Sequence, residues 1–330
     1  MSGARVAAVI PHWNRWDMLE TLLENLRDQN RPFDEIILVD NGSTDGSAGL
    51  AARAGARVLR LERNFGFAAA VNRGIEACQA DWIAILNNDV TLAPDWLEIL
   101  LDAAESQNVW FAAGKLLRTQ DPSTIDGTFD EISRGACACR CGAGKPDSPV
   151  WNQARRIRFA SMTAAIFRRN LFQEVGPLDE TFGSYLEDVD FGLRCAFAGR
   201  EGIYFPAAVG YHRGSSTLGR WNSDTVRNIA RNQVLIAAKY FRGQPRWPIL
   251  AGQLLWGLVA LRHGKGLSYI CGKVSGLWVA RALTPERRPD SLERKELRPL
   301  IEASERAILE LERQTGSSWY WRAYFWLLRQ

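Results

Sequence analysis

No Asp or Glu occurs between Thr225 and Pro285, although nine Lys and Arg residues fall there. No apolar run in that region reaches the roughly 18 residues needed to cross a bilayer; Trp247–Leu261, free of charge, stops at fifteen. No G-x-G-x-x-G follows the first apolar run and no G-x-x-x-x-G-K-[ST] occurs anywhere, which excludes two common phosphate-cradling loops. The six cysteines, at 78, 137, 139, 141, 195 and 271, lack the spacing of a secreted disulfide framework. No signal-like apolar segment stands before a cleavage site, so a cytoplasmic location is expected. Cys137-Ala-Cys139-Arg-Cys141 reads either as a metal clip or as a loop of thiols, without the two-residue spacing of zinc knuckles. The net charge of +4 is too small to imply nucleic acid.

What is present suffices for a large core: 330 residues, 46% apolar and 24% charged, as in ordinary globular chains. The pattern centres on Trp82-Ile-Ala-Ile-Leu86, which passes directly into Asn87-Asn88-Asp89. An unbroken apolar run this short reads as a strand covered on both faces. Arg5–Pro11, Glu35–Asp40 and Arg57–Leu61 read the same way, with helically spaced Leu19, Leu22, Leu23 and Leu26 after the first. This alternation predicts right-handed crossovers and an α/β fold, a doubly wound, mostly parallel sheet flanked by helices. Further strands are expected at 110–114, 159–167 and 202–205, and a helix entered over Tyr185–Arg194. Residues 119–156, rich in Gly, Pro and Cys, show no period and read as an insertion or loop.

Ligands of open α/β sheets bind at the carboxyl ends of the strands. Three loops gather there: 11–15, 40–46 and 87–89. Asp89 is placed to hold a divalent cation against a phosphate, although Asn-Asn-Asp is also ordinary turn chemistry. Asp40 suits the N3–H of a pyrimidine base or an Asx turn. Trp13 offers a face for the base, and Arg63 or Arg73 a charge for a diphosphate.

Pro11-His-Trp-Asn-Arg15, Asp40-Asn-Gly-Ser-Thr-Asp-Gly46, Asn64-x-Gly-Phe-x-x-Ala-x-Asn-x-Gly74 and Asn87-Asn-Asp89 follow one another in an order that resembles the family 2 glycosyltransferases of GT-A fold, rhamnosyltransferase-like members above all. Leu178-Asp-Glu-Thr-Phe182 and Glu187-Asp-Val-Asp-Phe-Gly-Leu-Arg194 extend the resemblance, which covers roughly residues 4 to 240. It implies inverting sugar transfer from a nucleotide-sugar, UDP- or dTDP-linked, with Mn²⁺ or Mg²⁺. Carried over by motif, Asp188 is the catalytic base, and Glu187 and Asp190 bind acceptor hydroxyls or orient the helix. Pro11, Trp13, Asn14, Asp40, Asn64, Arg73 and Asn88 meet the nucleotide-sugar. Asp89, Asn87 and His212 stand at the metal. Two motifs depart from the family: His12-Trp13-Asn14 replaces Thr-Tyr-Asn, and Asn87 replaces the first carboxylate of the metal motif.

The expected division is a GT-A domain over 1–240, with its nucleotide-sugar half near 1–115 and acceptor half near 116–240, and a helical extension over 241–330. Six of the thirteen tryptophans lie in that extension. Tryptophan with Lys and Arg but no acid suits an anionic membrane interface; packing on the sheet or on another subunit is the competing reading. Residues 290–313 read as a charged helix with Leu292, Leu297, Leu300 and Ile301 in register, a candidate oligomer contact. The acceptor implied is a glycan, lipid-linked, in bacterial cell-surface polysaccharide synthesis, reached from the inner face of the plasma membrane by a peripheral protein. The alternatives are a nucleotidylyltransferase, which would need a Gly-rich basic loop where His12-Trp13-Asn14-Arg15 stands, and a non-catalytic nucleotide-sugar-binding scaffold.

Overall fold

A computed structural model describes residues 3–214, 221–283 and 291–328, with the side chains of the last segment described from 297 onward. Its contacts divide the chain into two compact units, residues 1–129 with 142–217 and residues 130–141 with 218–330. The sequence boundary at 240 therefore falls inside the second unit.

The first unit is built on strands β1 (Val6–His12), β2 (Glu35–Asp40), β3 (Arg57–Arg60), β4 (Trp82–Leu86), β5 (Val90–Leu92), β6 (Phe111–Arg118) and β7 (Asp121–Gly127). It continues through β10 (Arg155–Ile157), β11 (Ala164–Arg168) and β12 (Gly202–His212). Its helices are α1 (Trp16–Arg27), α2 (Ser47–Arg53), α3 (Phe67–Ala77), α4 (Trp96–Ser106), α5 (Arg169–Glu174) and α6 (Glu187–Phe197). The strand order is β10-β12-β6-β11-β4-β1-β2-β3, with β5 on β12 and β7 on β6. β3, β2, β1 and β4 run parallel, and β11 enters antiparallel between β4 and β6. All five residues of β4 are buried, as the unbroken apolar run required. β2 lies on one side of β1 and β4 on the other, so the carboxyl ends of β1 and β4 open a crevice at the point where strand order reverses.

Three sequence expectations change. Residues 119–156 hold all or part of four strands and a 3-10 turn at Pro149–Asn152; three of the strands have three residues each, too short for alternation to be read, and β7 opens on exposed Asp121, Pro122 and Ser123, which read as a turn. The strand expected at 159–167 begins only at Ala164. The strand expected at 202–205 runs on to His212, and its pairing with β6 shifts register between Tyr204 and Val209, where Pro206 has no N–H to give the ladder.

A buried asparagine ties α3 to the chain ahead of α6. Asn72 Nδ2 donates to the Leu178 carbonyl at 3.0 Å, and the Leu178 N–H donates to Asn72 Oδ1 at 2.9 Å. Beside this clamp, the Ala68 N–H donates to the Gly183 carbonyl and the Phe67 N–H to Ser184 Oγ. Gly66 allows the approach: its φ is +92°, and a Cβ there would stand 2.9 Å from the Gly183 carbonyl oxygen.

The second unit holds β8 (Asp130–Ile132), β9 (Ala138–Arg140), α7 (Ser223–Tyr240), α8 (Arg246–Arg262), α9 (Gly266–Arg281), α10 (Ser291–Thr315) and α11 (Trp319–Leu327). α7 belongs here because α9 packs along it without side chains between: a Cβ on Gly272 would lie 2.3 Å from the Arg227 carbonyl oxygen, and one on Gly276 2.6 Å from that of Arg231. The β8–β9 hairpin is held to α10 by the Ile132 N–H on Ser304 Oγ and by Arg134 on Glu305, which also accepts from the Tyr324 hydroxyl. Cys137 and Cys141 are buried thiols of this hairpin, none of the six cysteines forms a disulfide, and among the described residues no cluster of His, Cys, Asp or Glu makes a metal cage. Among the described residues no helix is long and apolar enough to cross a membrane.

The Asn72 clamp predicts that Asn72→Leu lowers unfolding free energy by about 2–6 kcal/mol, since it strands the N–H and the carbonyl of Leu178 at roughly 1–3 kcal/mol each. Urea unfolding measures this; a change under about 0.5 kcal/mol, the range of an ordinary surface substitution, would remove the clamp from the account of the fold.

Candidate active site at the carboxyl edge of the sheet

The loop after β1 turns through two left-handed residues, Asn14 at φ 55° and Arg15 at φ 65°. Its partner loop after β2 holds it: the Asn14 N–H donates to Ser43 Oγ at 2.8 Å, and the Thr44 N–H to Asn14 Oδ1 at 3.0 Å. Asp40 is buried and its Oδ1 accepts from the Ser43 N–H at 3.0 Å, so one oxygen closes the turn. Trp13, between these loops, is 40% exposed, and in this unit only Phe65 is another large apolar side chain so open among the described residues. Pro11 lies inside β1 opposite Val39. Asn64 Oδ1 accepts from Asn41 Nδ2 and from the Gly66 N–H, shaping the loop ahead of α3. Arg73 lies 3.3 Å from Glu76 and 3.5 Å from Glu180, beside a cavity of about 210 Å³. A diphosphate reaching Arg73 competes with two carboxylates.

His12, one of the residues that depart from the resembled pattern, ends β1 in a chain of directed hydrogen bonds. Asn88 Nδ2 lies 2.9 Å from His12 Nδ1, and His12 Nε2 2.9 Å from Ser47 Oγ, which donates to Asp45 Oδ1 at 2.5 Å. With the serine proton committed to Asp45, His12 donates from Nε2 and accepts from Asn88 at Nδ1. The imidazole is therefore neutral, and burial lowers its pKa to about 4 against the pull of Asp45 and Asp40. The chain fixes the Asn88 amide with its nitrogen toward His12.

Asp89 and His212 meet because β5 pairs with the end of β12: His212 stands opposite Val90, and the Arg213 N–H donates to the Asp89 carbonyl. His212 Nε2 is 3.1 Å from Asp89 Oδ1, and Nδ1 is 2.7 Å from Asp126 Oδ2. Burial alone would depress the imidazole, but hydrogen bonds to Asp126 and Asp89 outweigh it and raise its pKa to about 9. This donor set fits a divalent cation. Two ligand bonds of about 2.1 Å at a right angle separate their donors by about 3 Å, close to the Asp89–His212 spacing. A carboxylate behind the far ring nitrogen is the usual partner of a metal-binding histidine. The set is incomplete among the described side chains, as suits a cation completed by substrate phosphates. The Asn87 N–H donates to the Thr163 carbonyl at 2.9 Å, anchoring the strand end.

The fourth edge of the site is the start of α6, entered through Tyr185 at φ 75° and Leu186 at φ 66°. Non-glycine residues rarely take such conformations, and the cost recurs at functional turns. The first turn carries Glu187, Asp188 and Asp190, where the helix dipole favours negative charge. Asp188 is half-buried, and its Oδ1 accepts from the Val189 N–H at 2.8 Å. Glu187 is buried. Asp190 is fully buried and 3.1 Å from Arg194, whose guanidinium also donates to the carbonyls of Val175, Gly176 and Pro177. Asp190 thus orients the helix. The Gly183–Ser184 contacts with Ala68 and Phe67 pin this turn beside the rim that carries Asp40 and Asn64.

Residues 7–176 match the model of glycosyl transferase family 2. The chain belongs to this family. It is 31% identical over 269 residues, 74% of this chain and 87% of the relative, to the N-acetylglucosaminyl-diphospho-decaprenol L-rhamnosyltransferase of Mycobacterium tuberculosis. It is 27% identical to the pre-mycofactocin glycosyltransferase of the same organism, over 84% of this chain and 58% of that one. Its fold is similar to that of a mannosyltransferase from Pyrobaculum calidifontis in complex with GDP-Man and Mn²⁺, with a TM-score of 0.55, 18% identity and coverage of 97% and 86%. GalNAc-T7, solved with UDP, GalNAc and Mn²⁺, gives a TM-score of 0.59 at 14% identity over 76% of this chain and 51% of that one. The chain is thus a glycosyltransferase of GT-A fold with a set of C-terminal helices.

Within this glycosyltransferase, sequence reasoning missed Asp126, Ser47 with Asp45, and the structural use of Asn72. Asp126 lay in the stretch without a period, and no local signal marks it. Asp45 stands in the turn segment 40–46 and Ser47 just after it, at the start of α2, but their tie to His12 crosses to the end of another strand.

The buried neutral His12 predicts a pH dependence of stability. Unfolded, it takes a proton near 6.5; folded, only near 4. Protons therefore favour unfolding in that window, and stability is full above pH 6.5 and falls by up to about 3 kcal/mol as pH drops toward 4. His12→Gln should flatten this limb in urea titrations; a limb of equal depth in the variant would contradict the assignment.

Proposed function

We propose that this glycosyltransferase moves a sugar, with inversion, from a UDP- or dTDP-linked donor, dTDP-rhamnose the leading candidate, to a lipid-linked glycan in bacterial cell-surface polysaccharide synthesis. The observation that carries the reading is the Asp89–His212 pair backed by Asp126 at the mouth of β4, next to the strand-order reversal. The rhamnosyltransferase relative, matched over most of its length and named for a decaprenyl-linked acceptor, supports the choice of sugar and acceptor. Work on such an acceptor puts the protein at the inner face of the plasma membrane.

Trp13 stacks on the base and Asp40 accepts its N3–H through the oxygen not used in the turn. Pro11, Asn14, Asn64 and Asn88 shape the cradle for the nucleotide-sugar, and Arg73 approaches the diphosphate. Asp188 takes the proton of the acceptor hydroxyl as that oxygen bonds to the anomeric carbon and the bond to the diphosphate breaks. Glu187 and Asp190 hold the acceptor side of α6. Asp89 and His212 would hold Mn²⁺ or Mg²⁺, with Asn87 beside them, and a cation held there would supply positive charge to the leaving diphosphate. Asn87 brings no charge of its own, so the mixed N/O donors favour Mn²⁺.

Asp188→Asn should lower transfer by about 10²- to 10⁴-fold, the usual worth of a general base, with donor affinity by calorimetry unchanged. Transfer at the wild-type rate would remove Asp188 from the role. Asp89→Ala should abolish the gain in donor affinity that Mn²⁺ provides, and His212→Ala should weaken it. A wild type that binds donor equally with and without a chelator would refute the metal site, and donor turnover separates an enzyme from a binding scaffold.

A further inference from the structure

The second unit presents an apolar ridge that nothing among its described residues covers. On α8, Trp247, Leu250, Leu254, Leu258 and Leu261 recur three or four residues apart, each 53–64% exposed. On α9, Leu267, Ile270, Val274, Leu277 and Trp278 do the same at 50–76%. Such a stripe ordinarily faces a core. Here the core-facing positions are others: Ala251, Leu255 and Ala260 of α8 are buried, and α9 turns Gly272 and Gly276 onto α7. Both helices are therefore apolar on two faces, one packed within the unit and one open.

Charge frames the open face. One end of the helix pair carries Arg246 and Arg281, with the Arg281 guanidinium 5.0 Å from the Trp278 ring. The other end, at the turn between the helices, carries Arg262 and Lys265. No acidic residue stands between Thr225 and Pro285. Lys273, basic in the sequence pattern, is turned inward: its Nζ donates to the Oε1 atoms of Gln233 and Gln253 at 2.8 Å each. The ridge itself thus bears no charge, and the positive groups sit at its two ends.

We propose that α8 and α9 lie side by side in the plane of an anionic lipid surface, the leucine ridge among the acyl chains and both basic ends at the headgroups. Trp247 and Trp278 sit where tryptophan is favoured, at the boundary of apolar and polar lipid. The charge pattern excludes two other arrangements. Tip-first insertion would carry Arg262 and Lys265 into hydrocarbon, which is costly for ionised groups. A second copy of the chain on the same ridge would set basic ends against basic ends in either orientation, with no carboxylate in this stretch to receive them. Amphipathic helices that bind anionic lipid combine such a ridge with Lys and Arg at its margins. The surface is independent of the transfer reaction, so either can fail alone.

Flotation of the full chain with vesicles tests it. The wild type should rise with phosphatidylglycerol-containing vesicles, less with pure phosphatidylcholine, and less again as salt increases. Leu254→Asp with Leu258→Asp should abolish flotation, and Arg246→Glu, Arg262→Glu and Arg281→Glu together should weaken anionic binding by about 100-fold or more. Donor affinity by calorimetry should stay at the wild-type value in both variants, which shows that each is folded. No flotation of the wild type, or flotation indifferent to both variants, would overturn the proposal. So would a lipid-free dimer in sedimentation that the Leu254/Leu258 variant dissociates, which would assign the ridge to a second copy.

Discussion

Asn72 turns both ends of its amide to Leu178, its nitrogen donating to Glu180 as well, and by doing so ties helix α3 to the chain that leads into α6. A buried amide satisfied in this way is costly to break. Arg194 grips the other side of the same segment through three carbonyls and is held in turn by the buried Asp190. Between these grips the chain has little freedom, and the turn through Tyr185 and Leu186 delivers Glu187 and Asp188 to one place. The Asp40 turn, the Asn64 loop and the acidic start of α6 share an edge because of contacts made behind it.

The two histidines of the site show how environment divides one side chain into two roles. His12 is buried among neutral partners and gives up its charge, which makes it a fixed acceptor for Asn88. His212 is buried just as deeply but lies between two carboxylates and keeps a proton in the free protein. Burial pushes both imidazoles the same way, and neighbouring charge decides the outcome only where hydrogen bonds reach the ring directly.

Much of this was legible in the chain. The apolar run Trp82–Leu86, followed by Asn-Asn-Asp, gave the place of β4 and of Asp89 because a strand buried on both faces leaves a continuous hydrophobic record. The helical character of the stretch that holds α8 and α9 was legible as well, but which of their faces stayed open was not, since a helix apolar on all sides hides its orientation until neighbours are known. Lys273 is the sharpest case: composition counted it with the surface charges, and Gln233 and Gln253 draw it inside. Asp126 was silent for the opposite reason. It lies in β7, hairpinned to β6, and it meets His212 only because β12, from far along the chain, pairs with the same β6; that meeting is a property of topology and leaves no local pattern.

The anomeric configuration of the product tests the central claim most directly. With one carboxylate, Asp188, taking the acceptor proton in a single displacement, the glycosidic bond must form on the face opposite the leaving diphosphate. NMR of the glycoside made from a nucleotide-sugar and a lipid-diphosphate-linked sugar should therefore show inversion relative to the donor. Retention would require a second displacement, and with it a nucleophile on the enzyme that this site was not assigned, and would contradict the account.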